Sequence, residues 1–401
     1  MFFKKKTKEQ QEPETKQEET PAIKLKSFEE IKKNMLEEMK KLPTEKEVEI
    51  TIEEHLEETK NEDEDQGTIE EVETKEDPIA SEEPKKSKTV QTQKVEDEKI
   101  SEEEKNRKIY ILGDNALACF FAMRFSNSGE KVVLITNKGT ASRLSNNGVT
   151  IIENHSLQKN HYKFDTTFWL KEAPKMLIIT SDAIKLNASL TAISRKKIVN
   201  SPVLLFTPIK DTLYIRNILE NDIYRSFFDG YLLSQSDQVL LYGRNPSISF
   251  TPKSKKKNDK IISSCFEKAG LSVKSESTEE KAFWDFFSVH AICSLVSAAY
   301  NKNIFDVIKD KEKREKLIPL INEITQITKH DGVELNSEEV LKKIYNTPLS
   351  YPYPLQVEIS KGKAGDFNLI SSNLSEIANR SKCKIDELNS LLKKIYNIIM
   401  A

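Results

Sequence analysis

Residues 108–137 read KIYILGDNALACFFAMRFSNSGEKVVLITN, and this stretch decides the fold. Ile109–Leu112 is a short, apolar run rich in β-branched residues, as a strand buried on both faces must be. Gly113 follows where the chain has to turn sharply. From Ala116 to Phe125 the apolar residues recur at helical spacing, and Ser128-Gly129 ends that helix before a second strand, Val132–Ile135. Strand, glycine turn, helix and strand at these distances form a βαβ nucleotide-binding unit, whose fingerprint is G-x-G-x-x-G. Its three positions hold Gly113, Asn115 and Ala118. The first glycine, which permits the turn, is kept. The second, where backbone must approach a pyrophosphate closely, is Asn. The third, a helix–strand packing position, changes only to Ala. The fold signal is strong and the cofactor signal is weak.

The 401 residues allow two or three domains with ample core, and the net charge of −2 hides two unlike parts. Residues 1–104 carry about 19 basic and about 33 acidic side chains; the remainder carries about 43 and about 31. The basic excess of the body is spread out, apart from Lys253, Lys255, Lys256 and Lys257, which read as a solvated loop; nucleic-acid binding is therefore not expected. Cys119, Cys265, Cys293 and Cys383 are far apart, show no C-x-x-C pairing and fall in apolar helical contexts. They read as reduced core thiols of a cytoplasmic protein, and no metal site is expected. No apolar run approaches the ~20 residues of a membrane span. The start, MFFKKKTKEQ, has its apolar and basic parts in the wrong order for a signal peptide.

Residues 1–104 hold no Trp, Tyr or Cys, and too little apolar area to offset the entropy of ordering, so a disordered tail is predicted. One island departs from this. Ser27-Phe28-Glu29-Glu30 is a capping-box pattern, and Ile31, Met35, Leu36, Met39 and Leu42 follow at spacings of three and four before Pro43. This predicts an amphipathic helix over 27–42. It reads either as a fluctuating helix on a spacer or as a helix that docks on a protein partner.

The body continues with a short helix at Ala141–Leu144, a turn at Asn146-Asn147-Gly148, and a strand. Met176–Thr180 and Val203–Phe206 are further strand candidates, with a helix at Ala183–Ile193 between them. Such alternation predicts a mostly parallel sheet covered on both faces. Tyr231–Phe250 reads as antiparallel strands with turns at Ser236-Asp237 and Asn245-Pro246, followed by a helix at Lys260–Ala269 and a strand at Leu271–Lys274. From Glu279 the signal is helical: a long helix to about Tyr300 with Phe283, Trp284, Phe287, Ala291, Leu295 and Ala298 on one stripe, then Lys311–Thr328, Ser337–Tyr345, Phe367–Arg380 and Ile385–Met400. The domains expected are a tail over 1–104, an α/β domain over 105–275 and a helical domain over 276–401.

Four segments carry a resemblance to a known family: the opening unit with SRLSNNGVTI after it, DGYLLSQSDQVLLYGR, EEKAFWDFFSVHAICSLVSAAYNKNIFDVI, and PYPLQVEISKGKAGDFNLISSNLSEIANRSKCKIDELNSLLKKI. Together they make residues 107–400 resemble the ketopantoate reductases (2-dehydropantoate 2-reductases). The resemblance implies a Rossmann-like α/β domain followed by an all-α C-terminal domain of the 6-phosphogluconate dehydrogenase type. It also implies NADPH, a 2-oxo acid substrate, a Lys that donates a proton to the reduced carbonyl, and an Asn and a Glu that position substrate.

Carried over position by position, that machinery is missing. The pattern W-x-K-x-x-x-N falls on Trp284, Phe286 and His290, and Phe286 cannot supply a proton. Lys281 lies five residues earlier, roughly 140° around the helix from Phe286. His290 shares the face of Phe286, and with an ordinary pKa near 6.5 it is the candidate replacement acid; the plainer reading is a packed core histidine. The Glu position falls at Asp366. Lys138, just after the second strand, is placed to meet a 2′-phosphate, and Gly113, Asn115 and Ala118 would face the rest of the cofactor. The family's Lys after the fourth strand is absent from Thr180-Ser181-Asp182-Ala183, and its Asn-Gly turn after the fifth reads Phe206-Thr207-Pro208-Ile209. The expected protein is a divergent relative without reductase activity, with NADPH binding weak or lost, acting as a ligand-binding or interaction module. The alternative is an NADPH-dependent 2-oxo acid reductase with a replacement general acid. A homodimer and a partner for the 27–42 helix stay open.

Overall fold

The computed structural model describes residues 106–400 apart from 154, 155, 194, 211, 222, 254 and 255. The tail, its 27–42 helix and part of the Lys253–Lys257 run lie outside the described residues. The strands are β1 (Ile109–Leu112), β2 (Val132–Ile135), β3 (Val149–Glu153), β4 (Gln158–Tyr162), β5 (Thr166–Thr167), β6 (Met176–Ile179), β7 (Val203–Leu205), β8 (Ile223–Gln235), β9 (Gln238–Phe250) and β10 (Ser272–Ser275). The principal helices are α1 (Ala116–Asn127), α2 (Ala183–Leu190), α3 (Leu213–Leu219), α4 (Lys256–Lys268), α5 (Glu279–Tyr300), α6 (Leu317–His330), α7 (Ser337–Tyr345), α8 (Pro354–Ile359), α9 (Phe367–Ser381) and α10 (Asp386–Met400).

The ten strands form one mixed sheet in the order β4-β3-β9-β8-β7-β6-β1-β2-β5, with β10 beside β9. Its centre is parallel: β1 pairs with β2 and β6, and β7 lies between β6 and β8. The pleat explains the continuous apolar runs. Ile109 and Ile111 point to one face, into a cluster with Phe120, Phe121 and Phe125 of α1 and Phe266 of α4. Tyr110 and Leu112 point to the other, with Leu186 and Leu190 of α2 and Ile215 and Leu219 of α3. This is a Rossmann-like sheet covered on both faces, followed by a helical region.

Several elements differ from the sequence reading. β8 begins at Ile223, not Tyr231; its first residues pair in parallel with β7, and the rest run antiparallel to β9. Charged Arg225 hides this strand start in the sequence. The expected turn at Asn245-Pro246 is not a turn. β9 runs straight through it, Asn245 adopts φ 52°, and the opposing strand shifts register between Asp229 and Tyr231. A bulge absorbs there what a turn would have reversed. The helix expected over Lys311–Thr328 breaks into Lys311–Glu315 and α6. Cys383 lies in the link after α9 and is half-buried, whereas Cys119, Cys265 and Cys293 are buried; all four are free thiols.

α5 departs furthest from expectation. Thr278 caps it through Lys281 N, and Asn301 ends it in the left-handed region. In place of one apolar stripe, every residue from Ala291 to Ala299 is buried, because α6, α7, α8 and α10 surround it. By length and hydropathy alone α5 could cross a membrane, contrary to the reading that no such run exists; 83% of its most apolar window is buried inside the protein.

Ion pairs tie α5 and its neighbours to the sheet domain. Glu279 accepts from Arg216 at 2.6 Å and from Lys253 at 2.9 Å. Lys253 is thus mostly buried rather than solvated, a correction to the loop reading. Asp331 accepts from Lys210 at 2.7 Å and from the Trp284 indole N–H at 2.8 Å. Arg225 donates to the Ile209 carbonyl and lies 4.8 Å over the Phe283 ring. Replacing Asp331 by Ala strands the Trp284 donor and the Lys210 charge. We expect a loss of about 2–4 kcal/mol in urea unfolding, several times that of an exposed pair. Deleting residues 1–104 is expected to leave a single cooperative transition, since the described core is built wholly after residue 108; a broad melt would contradict this.

Candidate functional site

The site starts at the β1–α1 turn. Gly113 has φ 145°, and a Cβ there would sit 2.3 Å from Thr180 Oγ1, so the approach of the turn to the end of β6 requires glycine. Asn115 is the N-cap of α1. Its Oδ1 accepts from Ala118 N at 3.0 Å, and its Nδ2 donates to the Thr180 carbonyl. The side chain therefore occupies a backbone donor that an anion would use at a helix N-terminus. Asp114 reaches toward the end of β2 and accepts from Thr136 Oγ1 at 3.3 Å and Asn137 Nδ2 at 3.5 Å. Lys138 is exposed at the start of the next short helix, and Ala118 is fully buried in the core. The fold brings Gly113, Asn115 and Lys138 to one edge of the parallel strands, but the donor set fits a dinucleotide poorly. One N–H is already taken, and a carboxylate stands close to where phosphates would lie.

Beside this turn a cavity of about 560 Å³ is bounded by α1's first turn, the β8–β9 ribbon, α5 and the segment leading to α8. Phe286 and His290, one turn apart on α5, both line it. The His290 ring stacks on Phe286 (5.5 Å, 12° between planes), and Phe286 stacks on Phe227 of β8 (5.4 Å, 27°). Tyr353 lies 6.2 Å from His290. Enclosed by these rings, His290 has its pKa pushed down to about 4 by burial. The ordinary value near 6.5 that a general acid at this position would need is not retained.

Asp366 is not part of this cavity. It precedes α9 and stands near Glu358 and Asp182; burial, then these two carboxylates, raise its pKa to about 6. Lys281 does not line the cavity itself but pairs with Asp285 and Glu276, which do. Residues the sequence reading missed complete the walls. Tyr231 bonds Thr347 Oγ1 at 3.4 Å, and Tyr351 donates to the Leu232 carbonyl at 3.1 Å. Tyr351-Pro352-Tyr353-Pro354 was the available signal: two tyrosines held by prolines in extended backbone just before α8. Among the described residues no cluster of His, Cys, Asp and Glu could hold a metal ion.

The parallel strands, the glycine turn and the helices that follow define a Rossmann-like fold with a helical region after it. Residues 109–207 match the family described as ketopantoate reductase PanE/ApbA. Among solved structures, the chain is similar to D-mandelate dehydrogenase in ternary complex with NADH and anilino(oxo)acetate (TM-score 0.63, 16% identity, covering 73% of this chain and 98% of that one). It is also similar to a PanE/ApbA family ketopantoate reductase from Ralstonia eutropha JMP134 (TM-score 0.62, 14% identity, 73% and 98%). A third is the 2-dehydropantoate 2-reductase from Methylococcus capsulatus (TM-score 0.60, 14% identity, 73% and 97%). Identities this low speak to the fold alone. No curated protein sequence matches.

The raised pKa of Asp366 has a consequence for stability. Between pH about 4 and about 6 the folded state holds a proton that the unfolded state has released, so stability falls as pH rises through this window. Asp366→Asn removes that penalty. It should stabilise the protein by about 1–3 kcal/mol at pH 7.5 and change little at pH 4, read from urea midpoints of both proteins at each pH. Equal effects at both values would show that the carboxylate does not titrate in this way.

Proposed function

We propose that this chain is a ketopantoate-reductase-like ligand-binding or interaction module without reductase activity. The observation that carries this is the Phe227–Phe286–His290 stack. It stands where the resemblance places a proton-donating Lys and a substrate-holding Asn. Phe286 has no proton to give, and a neutral imidazole is a poor acid toward a developing alkoxide. The cofactor side supports the same reading. Asn115 caps its own helix and Asp114 adds negative charge, so NADPH binding is expected to be weak or lost. Loss of several groups that act as one unit removes most of the rate at once. The working divisions are a tail over 1–104, an α/β domain over 105–275 and a helical domain over 276–401; residues 27–42 are either a spacer or the place where a protein partner docks. The free thiols favour a cytoplasmic setting, and a homodimer is an arrangement to test by sedimentation.

The second reading is an NADPH-dependent 2-oxo acid reductase using His290 and Asp366. D-mandelate dehydrogenase, a similar fold, is described with NADH bound, and the vacant N–H groups of α1's first turn favour some nucleotide affinity. Separation of Asp366 from the cavity tells against it.

Two measurements decide. NADPH fluorescence should show little or no binding at micromolar concentration, and Asn115→Gly with Ala118→Gly should strengthen it. Reduction of 2-dehydropantoate should be undetectable, since general-acid help alone is worth roughly 10²–10⁴-fold. Phe286→Lys with His290→Asn is the restoring pair: turnover gained would show a silenced cleft. Turnover by the unmodified protein that His290→Ala abolishes would overturn the proposal.

A further inference from the structure

The cavity beside α5 is unusual in how its charges are spent. Two lysines line it. Lys274 pairs with Asp229 at 3.3 Å, and Lys343 approaches Asp285 at 3.9 Å; both acids line the cavity too. Asp285 is held as well by Lys281, which also approaches the remaining acid in the wall, Glu276. Both lysines of the described lining thus already face carboxylates. A ligand carboxylate entering here would lose water and gain no unpaired positive partner. The inner wall, by contrast, is made of ring faces. Phe227, Phe286 and His290 form a near-parallel ladder with steps of 5.4 and 5.5 Å. Opposite them Tyr351 meets Tyr231, Tyr242 and Tyr353 edge to face at 5.0–5.4 Å.

His290 supplies the polar handle in this wall. No hydrogen bond to its ring occurs among the described residues, and its neutral form offers one N–H donor and one nitrogen acceptor. A flat ligand packed on this wall, with a polar edge that meets one of these nitrogens in the plane of the imidazole, would use that handle.

We infer that this cavity binds an uncharged, planar aromatic or heteroaromatic ligand bearing an amide-like group, packed against the ring-lined wall and hydrogen-bonded through that group to a ring nitrogen of His290. This deepens the proposed function and rests on its ligand-binding reading. The selectivity is opposite in charge to that of a site for 2-oxo acids. A ligand carboxylate is disfavoured because the described lysines of the wall are already paired, and affinity comes from the rings.

The test compares two molecules of one shape, anilino(oxo)acetate and its carboxamide, N-phenyloxamide, which differ in the charge and the N–H donors of the terminal group, titrated into the full chain at pH 7 by calorimetry and ligand-observed NMR. The amide should bind at least about tenfold more tightly, equivalent to about 1.4 kcal/mol. His290→Phe keeps a ring in the ladder and removes the hydrogen bonds, and should weaken the amide about fivefold. Phe286→Lys places an unpaired cation in the wall and should shift preference toward the carboxylate. Equal or tighter binding of the carboxylate by the unmodified protein overturns the inference. So does saturable binding of neither molecule at millimolar concentration, or amide binding that His290→Phe leaves unchanged. NADPH oxidation on adding 2-dehydropantoate would instead sink the non-reductase reading, and is measured separately.

Discussion

Everything in the helical half of this protein follows from α5 being apolar on all sides. A helix with one apolar stripe can lie on a surface, but one buried through every residue from Ala291 to Ala299 has to be enclosed. The helices after it wrap it, and its first turns face the sheet. Enclosure then fixes the direction of each side chain on it. Trp284 is driven against Asp331, Phe283 beneath Arg225, and Phe286 and His290 into the cavity beside β8 and β9. The cavity forms where an enclosed helix meets two strands whose register is shifted by a bulge.

The parallel core was legible because its strands are continuous apolar runs with few alternative readings. β1, β2, β6 and β7 are nearly all buried on both faces, and the glycine turn punctuates the first helix. What stayed hidden depended on partners distant in sequence. The start of β8 carries Arg225, which looks unsuited to a buried strand until Ile209 and Phe283 are beside it. Pro246 reads as a turn because proline donates no ladder hydrogen bond, yet it sits in a bulge of β9 whose extra residues stand unpaired opposite Gly230. The encircling of α5 was equally invisible: a stripe and a full jacket look alike over 22 residues when polar Ser288, Ser294 and Ser297 are interspersed.

At the site, helical phase was sufficient to place Phe286 and His290 on one face and Lys281 on another, since that follows from residue spacing alone. The electrostatic state of His290 was not accessible in the same way. Its ordinary pKa was the natural assumption, and only the rings closing around it show why the charged form is suppressed. Asp366 illustrates the reverse case. The pattern gives it the place of the family's Glu, and the chain after α8 carries it beside Asp182 and Glu358. The tyrosines of the cavity come from β8, β9 and the segment before α8, a convergence that needs the whole fold.

The bolts at Glu279, Asp331 and Arg225 also bear on how anything enters or leaves. Each joins the sheet side to the helical side through groups that are largely withdrawn from water, so separating the halves would expose several unpaired charges together. A cleft enzyme that closes on its substrate needs the opposite, a hinge across which little is lost on opening. A path into the cavity that moves rim side chains alone would leave these contacts intact, whereas one that parts the two sides would break them together.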